Sequence, residues 1–391
     1  MIQLWGGECV TWTQTVFKGV LPLGSRLTMK LKIACLIALG LVLSEVPKAS
    51  AALTNSYQFN GKGNWSIDGV GSNNTPVGSI NAIVPMGSTV VKAFLYSTTW
   101  GNNSFTPIVN FDGITYNTWT DLGFAATCCN LKAFRADVTT QVATKIGGGA
   151  ASPFVFDVLS ENPDGSIDGT VLALVYSNPA EQERTISFLD GNTAATGTTT
   201  FVNLTTPLTS TQLLDPTFEA LMSLGIGFSF QTGSDQYSTI DVNGQRLTSS
   251  AGGQDDGNPT NIGNGGLITV GGIGDSTANP TNPSAIPSSD FSVAPRLDDE
   301  LYTLKPFLKV GDTQIRIDST NPSNDDNIFF VGINLTAKAD VCVDDPDLCK
   351  TVPEPTSTLS LLALGTLGAA STLKRKLKPS QSTEKETTKV G

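Results

Sequence analysis

The side chains best suited to chemistry in this sequence are two short clusters of oxygen-bearing residues, Asp298-Asp299 and Asn324-Asp325-Asp326. Ca²⁺ takes six to eight oxygen ligands, and a turn such as 321–327, with carboxylates beside backbone carbonyls, supplies several of them. Asp298 and Asp299 open a segment that would complete the shell; no cofactor is required by the sequence, and calcium is the ion that these oxygens would take. No spacing matches the EF-hand loop, and paired acids in turns also serve as solvated caps. The same acids raise the question of glycoside hydrolysis, which needs two carboxyl groups facing each other across a cleft; neighbours on a strand point to opposite faces. The chain contains no histidine. That excludes Ser-His-Asp and Cys-His triads, histidine-ligated metals and the H-E-x-x-H motif. No glycine-rich phosphate loop follows a strand and opens a helix. The set of catalytic residues is therefore empty, and the chain reads as a non-enzyme.

Acidic residues outnumber basic ones by 35 to 24, for a formal net charge of −11. The excess lies in 52–355, which repels nucleic acid and anionic lipid and keeps an exported protein soluble. Trp65, Trp100 and Trp119 would stack on sugar rings if exposed, whereas a sandwich core would bury them.

The elements that hold these residues sit between two address labels. Met29-Lys30-Leu31-Lys32, the apolar run Ile33 to Leu43 and the small-residue site Ala49-Ser50-Ala51 form a secretory signal pattern, with cleavage expected after Ala51. Residues 1–28 fit no part of that pattern, so translation is expected to start at Met29. Four of the six cysteines lie beyond the leader. An even number in an exported chain permits disulfides, with three pairings open. Cys342 with Cys349 closes a short acidic loop, leaving Cys128-Cys129 as a strained vicinal bridge or reduced. A zinc site is the alternative, though adjacent cysteines do not readily take two tetrahedral corners.

From Leu53 onward, short alternating apolar runs separated by Gly, Asn, Asp and Pro predict antiparallel strands. They are expected at 89–98, at 107–111 turning through Asp112-Gly113 into 114–116, and at 154–159, 169–176 and 184–189. A helix is expected at 138–146, capped by Asp137 and closed by Gly147. After a linker at 192–200, further strands are expected at 225–230, 237–242, 267–270, 313–318 and 328–336. A helical turn is placed at 301–308. The stretch 249–295 is rich in Gly, Asn, Asp and Pro and is read as lying outside the core. The expected fold is all-β: two antiparallel, jelly-roll-like β-sandwich domains at 52–195 and 196–341. A Cys-closed linker at 342–351 follows, and signal peptide and transmembrane helix flank the whole.

At the far end, Val352-Pro353-Glu354-Pro355 precedes an uncharged run from Thr356 to Leu373, then Lys374, Arg375, Lys376 and Lys378. Such a run makes a helix of about 27 Å, enough to span a thin hydrocarbon core, and the basic cluster holds its end in the cytoplasm. A polar tail occupies 379–391. This order of residues resembles the PEP-CTERM sorting signal of Gram-negative bacteria, although the cluster is Lys-rich where the family favours Arg and the family usually has no such tail. The resemblance implies an exosortase partner, a membrane transpeptidase that cuts near Pro-Glu-Pro and releases or re-attaches the cargo. A plain membrane anchor is the competing reading; both export the cargo through the Sec machinery. Two further blocks carry weaker likenesses. Tyr176-Ser177-Asn178-Pro179 with 184–191 looks like a sandwich domain recurrent in bacterial surface proteins, and 296–302 with 321–330 resembles a block of exported PEP-CTERM cargo. The function expected is that of a non-catalytic surface or matrix protein of the envelope or exopolysaccharide layer, passing transiently through the inner membrane. A carbohydrate-binding module, with or without the help of calcium, is the alternative, and a glycoside hydrolase the third.

Overall fold

The strand Ile167–Ser177, with the run Val171 to Tyr176 at its centre, is buried on both faces, as a strand must be when sheets or loops cover it on either side. It is the ninth of nineteen strands among the described residues of the computed structural model. These are 53–346 without 73–75, 102–104, 126–129, 149–152, 162–165, 194–195, 229–236, 253–266, 287–299 and 325. In chain order they begin with β1 (Thr54–Gly71), β2 (Val77–Ala82), β3 (Thr89–Thr99), β4 (Val109–Phe111), β5 (Ile114–Tyr116), β6 (Thr120–Ala125) and β7 (Leu131–Asp137). Helix α1 (Thr139–Ile146) comes next, then β8 (Phe154–Ser160), β9 (Ile167–Ser177), β10 (Glu183–Asp190), β11 (Thr198–Leu204) and the one-turn helix α2 (Ser210–Leu214). The remainder is β12 (Ala220–Gly227), β13 (Ser238–Val242), β14 (Gln245–Ala251), β15 (Ile268–Val270), β16 (Leu301–Thr303), β17 (Gln314–Thr320), β18 (Asn327–Leu335) and β19 (Ala339–Val343). The protein is all-β, and every described strand pair is antiparallel.

The longest sheet runs β15-β12-β18-β10-β1-β9-β3-β7-β6, with β16 also on β12; β14-β13-β17-β11-β19 and β2-β8-β4-β5 form two more. β1 joins the long sheet's two halves. It pairs with β10 over Thr54–Lys62 and with β9 over Gly63–Gly71. One core, with Val90, Leu95, Phe111, Phe156 and Leu172, gathers β3, β9 and the sheet containing β8. A second, with Val202, Met222, Ile240, Ile317 and Ile333, joins β12 and β18 to the sheet containing β17. A third is aromatic: Tyr96 of β3 lies 5.2 Å from Phe330 of β18, ring to ring, although three strands separate them in the sheet order. The long sheet is therefore curled, and its two halves face one another across rings that each contribute about 1.5–3 kcal/mol on burial.

Most expected strands are present within one or two residues, and the differences have local causes. Asp112 and Gly113 adopt φ 51° and 84°, the left-handed pair that a tight hairpin turn requires. The helix begins at Thr139, one residue later than expected, because Asp137 Oδ1 accepts from both the Thr139 amide (3.0 Å) and hydroxyl (2.6 Å). Segment 301–308 is a strand followed by a single 3₁₀ turn at Lys305–Phe307, since Leu301–Thr303 pairs with β12. The expected linker at 192–200 contains the start of β11. The stretch 249–295 enters the interior at Ser249, Ser250, Ala251 and Leu267–Val270, all buried. β10, grouped by sequence with the first half, pairs with β18 of the second.

Candidate functional site

Of the proposed cation ligands, the structure places Asn324 and Asp326 in a turn whose polar groups bond one another. Asn321 Oδ1 accepts from the Asn324 amide (2.7 Å), while its Nδ2 donates to the Asp326 carbonyl. The Asp326 carboxylate, fully buried, accepts from Ser323 Oγ (3.1 Å) and Ser238 Oγ (3.2 Å). The turn thereby ties β13 to the start of β18. Asp298, Asp299 and Asp325 lie outside the described residues, as do Ala49, Ala51, Val352, Pro353, Glu354, Pro355, Lys374, Arg375, Lys376, Lys378, Cys128, Cys129 and Cys349. Among the described residues, no group of three or more His, Cys, Asp or Glu side chains could hold a metal ion, and no helix is long and apolar enough to cross a membrane. Cys342 is buried in β19, at the edge of its sheet.

Three further carboxylates are buried that the sequence did not single out. Glu300 accepts the Gly252 amide (2.6 Å) on Oε1 and the Thr269 hydroxyl (2.8 Å) on Oε2, so it fastens β14 and β15 to the start of β16. Asp190 accepts from Tyr96 Oη (3.0 Å) and pairs with Arg135 (2.6 Å), whose guanidinium lies 4.7 Å from the Phe94 ring centre. Burial, and then the neighbouring Asp190, push the Tyr96 hydroxyl well above its ordinary pKa. Asp168 differs from both. Thr98 faces Gly169 and Thr99 faces Ile167, so Asp168 is the extra residue of a β-bulge, a device that re-aims a side chain. Its two oxygens are buried without a hydrogen bond of good geometry. Burial lifts its pKa from 3.8 to about 7, a rise only partly offset by the nearby Thr98 hydroxyl and Phe228 amide. All four carboxylates are closed off from solvent.

The described surface does contain a groove of about 520 Å³, between the β4–β5 hairpin and α1. α1 turns Val142 and Ile146 into the core and leaves Thr140, Gln141, Thr144 and Lys145 along the groove. Gln141 Nε2 donates to the Phe111 carbonyl (2.8 Å) and its Oε1 accepts from Tyr116 Oη (2.5 Å), which fixes helix to hairpin. Lys145 pairs with Asp112 (2.5 Å), and Asp137 with Lys92 (2.6 Å). Sequence reasoning missed this place because its residues come from a turn, a short strand and a helix face without a shared motif.

The three tryptophans are half-buried and do not form a row. Trp65 packs on the aromatic core, Trp119 on the first core with Nε1 donating to the Pro107 carbonyl (2.8 Å), and Trp100 against Phe228 at 5.6 Å. No protein-family model matches the chain, and no curated protein matches it. Among solved structures, the crystal structure of the major capsid protein P2 from bacteriophage PM2 aligns over 74% of this chain and 99% of that one at 12% identity, with a TM-score of 0.18. An overlap that low carries no argument about this chain.

Proposed function

We propose that this chain is an exported, non-catalytic component of the cell surface or extracellular matrix, built as two antiparallel sandwiches and sorted through a PEP-CTERM-type signal at 352–378. The observation that supports it most is the fate of the buried carboxylates. Glu300, Asp190 and Asp326 join separate segments of the fold, and Asp168 is sealed within it. The polar groups buried among the described residues are, on this view, architectural. In this reading the β8-containing sheet and the first core form one sandwich, the β17-containing sheet and the second core the other, with the division near 195 bridged by β1 and β10. A Cys342–Cys349 bridge would secure edge strand β19 where the chain leaves the fold.

The tail decides between sorting and simple anchoring. In this reading prolines on either side of Glu354 would hold that segment out of any helix beyond it, leaving the carboxylate accessible at the membrane surface. Replacing Pro353, Glu354 and Pro355 by alanine leaves the apolar run and the basic cluster able to anchor. In a strain with an exosortase, the variant should accumulate uncut in the inner membrane while the wild type loses its tail, as read by mass spectrometry. Equal masses and equal membrane fractions for the two would leave a plain anchor.

A further inference from the structure

We infer that the groove between the β4–β5 hairpin and α1 binds a neutral saccharide, its pyranose faces lying on Ile114 and Tyr116 and its hydroxyls meeting the helix side chains. This goes beyond export and holds whether or not the tail is processed. The first observation is the exposed apolar floor. Ile114 is 49% exposed inside a concave surface, next to the ring of Tyr116, which Trp119 supports from 6.1 Å. A sugar ring offers a matching apolar face of C–H groups.

The second observation is charge balance. Each carboxylate of the groove is paired with a lysine, Asp112 with Lys145 and Asp137 with Lys92. No uncompensated charge remains to select an ion, whereas the oxygens of these pairs keep lone pairs free for hydroxyl donors. Thr140 and Thr144 add exposed hydroxyls. Thr144 donates its proton to the Thr140 carbonyl (2.7 Å) and so presents acceptor lone pairs to the groove. An apolar floor with a few convergent donors and acceptors, in a volume within the usual range of about 300–1,000 Å³, is the general form of a small-ligand site. A peptide adding to the sheet fits less well: β5 is three residues long, too short an edge for a ladder of strand hydrogen bonds.

The test is titration calorimetry on the purified full chain in a sugar-free detergent. The probes are cellohexaose, mannohexaose, xylohexaose and isomaltohexaose, with oligogalacturonate and a chitosan hexamer as charged counterparts. Thr140→Arg and Thr144→Arg fill the groove from exposed helix positions where Arg is the better helix former, and circular dichroism checks the fold. Val310→Arg, at an exposed site away from the groove, is the control. At least one neutral probe should bind, and both threonine variants should weaken it about tenfold or more while the control leaves it unchanged. Absence of binding by all four neutral probes, binding of the charged probes alone, or binding indifferent to both threonine variants would overturn the assignment.

Discussion

Asp168 stands on a β-bulge with both oxygens buried and without a well-aligned hydrogen bond, and its energetics follow from its pKa near 7. Between the unfolded value of 3.8 and 7, the folded state holds the proton more tightly than the unfolded chain does, so stability falls as pH rises through that window. Above it the deficit levels off at about 4 kcal/mol, at 1.36 kcal/mol for each tenfold change. Asp168→Asn keeps the shape and removes the charge. It should match the wild type near pH 4 and exceed it in urea unfolding at pH 8, by up to about 4 kcal/mol; an unchanged pH profile would show that the carboxylate has a partner. None of this was legible in the sequence, where Asp168-Gly169 resembles any solvated turn at the start of a strand. The side chain becomes unusual only when Thr98 and Phe228, distant in the chain, come to rest against it.

Edge strands expose unpaired amides and carbonyls, and β1 covers two of them with side chains. Gln58 acts as a piece of missing strand: Nε2 donates to the Ala339 carbonyl (3.2 Å) and Oε1 accepts the Val341 amide (3.1 Å) of β19. Asn55 Nδ2 donates to the Val341 carbonyl (2.7 Å). On β2 the Asn81 amide meets Asp68 (2.5 Å), and just past its end the Ile83 amide meets Ser66 (2.9 Å). Covered edges resist pairing with a second chain. Gln58→Ala should cost about 1–3 kcal/mol by leaving the Val341 amide unbonded, and should raise self-association in sedimentation velocity; a monomer of undiminished stability would argue against the capping role. Such elements differ in how plainly they are written. β4–β5 is marked by its Asp-Gly turn and β9 by its apolar run. β1 has four glycines and mostly polar side chains, and β11 buries threonines where the pattern expects Val or Ile. Both are strands because of their partners, which no local window contains.

At the scale of the molecule, β1 is shared between both halves of the long sheet, with the handover at Gly63. A Cβ there would lie 2.2 Å from the Tyr176 carbonyl, a clash with backbone that cannot rotate away. Gly63→Ala should therefore destabilise by about 3 kcal/mol or more, and the loss should reach both halves together. Variants retaining Trp119 alone, beside the first core, or Trp65 alone, on the aromatic core, should melt with coincident midpoints, both lowered by the glycine substitution. Two separated midpoints would show halves that fold independently. The sharing of β1 also orders events in time. The strand that every other part of the long sheet depends on is made first, its partner β10 follows more than a hundred residues later, and Gln58 meets Val341 across a separation of 283. Contacts at such distances form slowly. A ribosome delivering this chain from its beginning must therefore hand over β1 as an open strand that stays unpaired until β9 and β10, more than a hundred residues later, have emerged, and the side-chain cover of β19 is completed only when nearly the last strand is out.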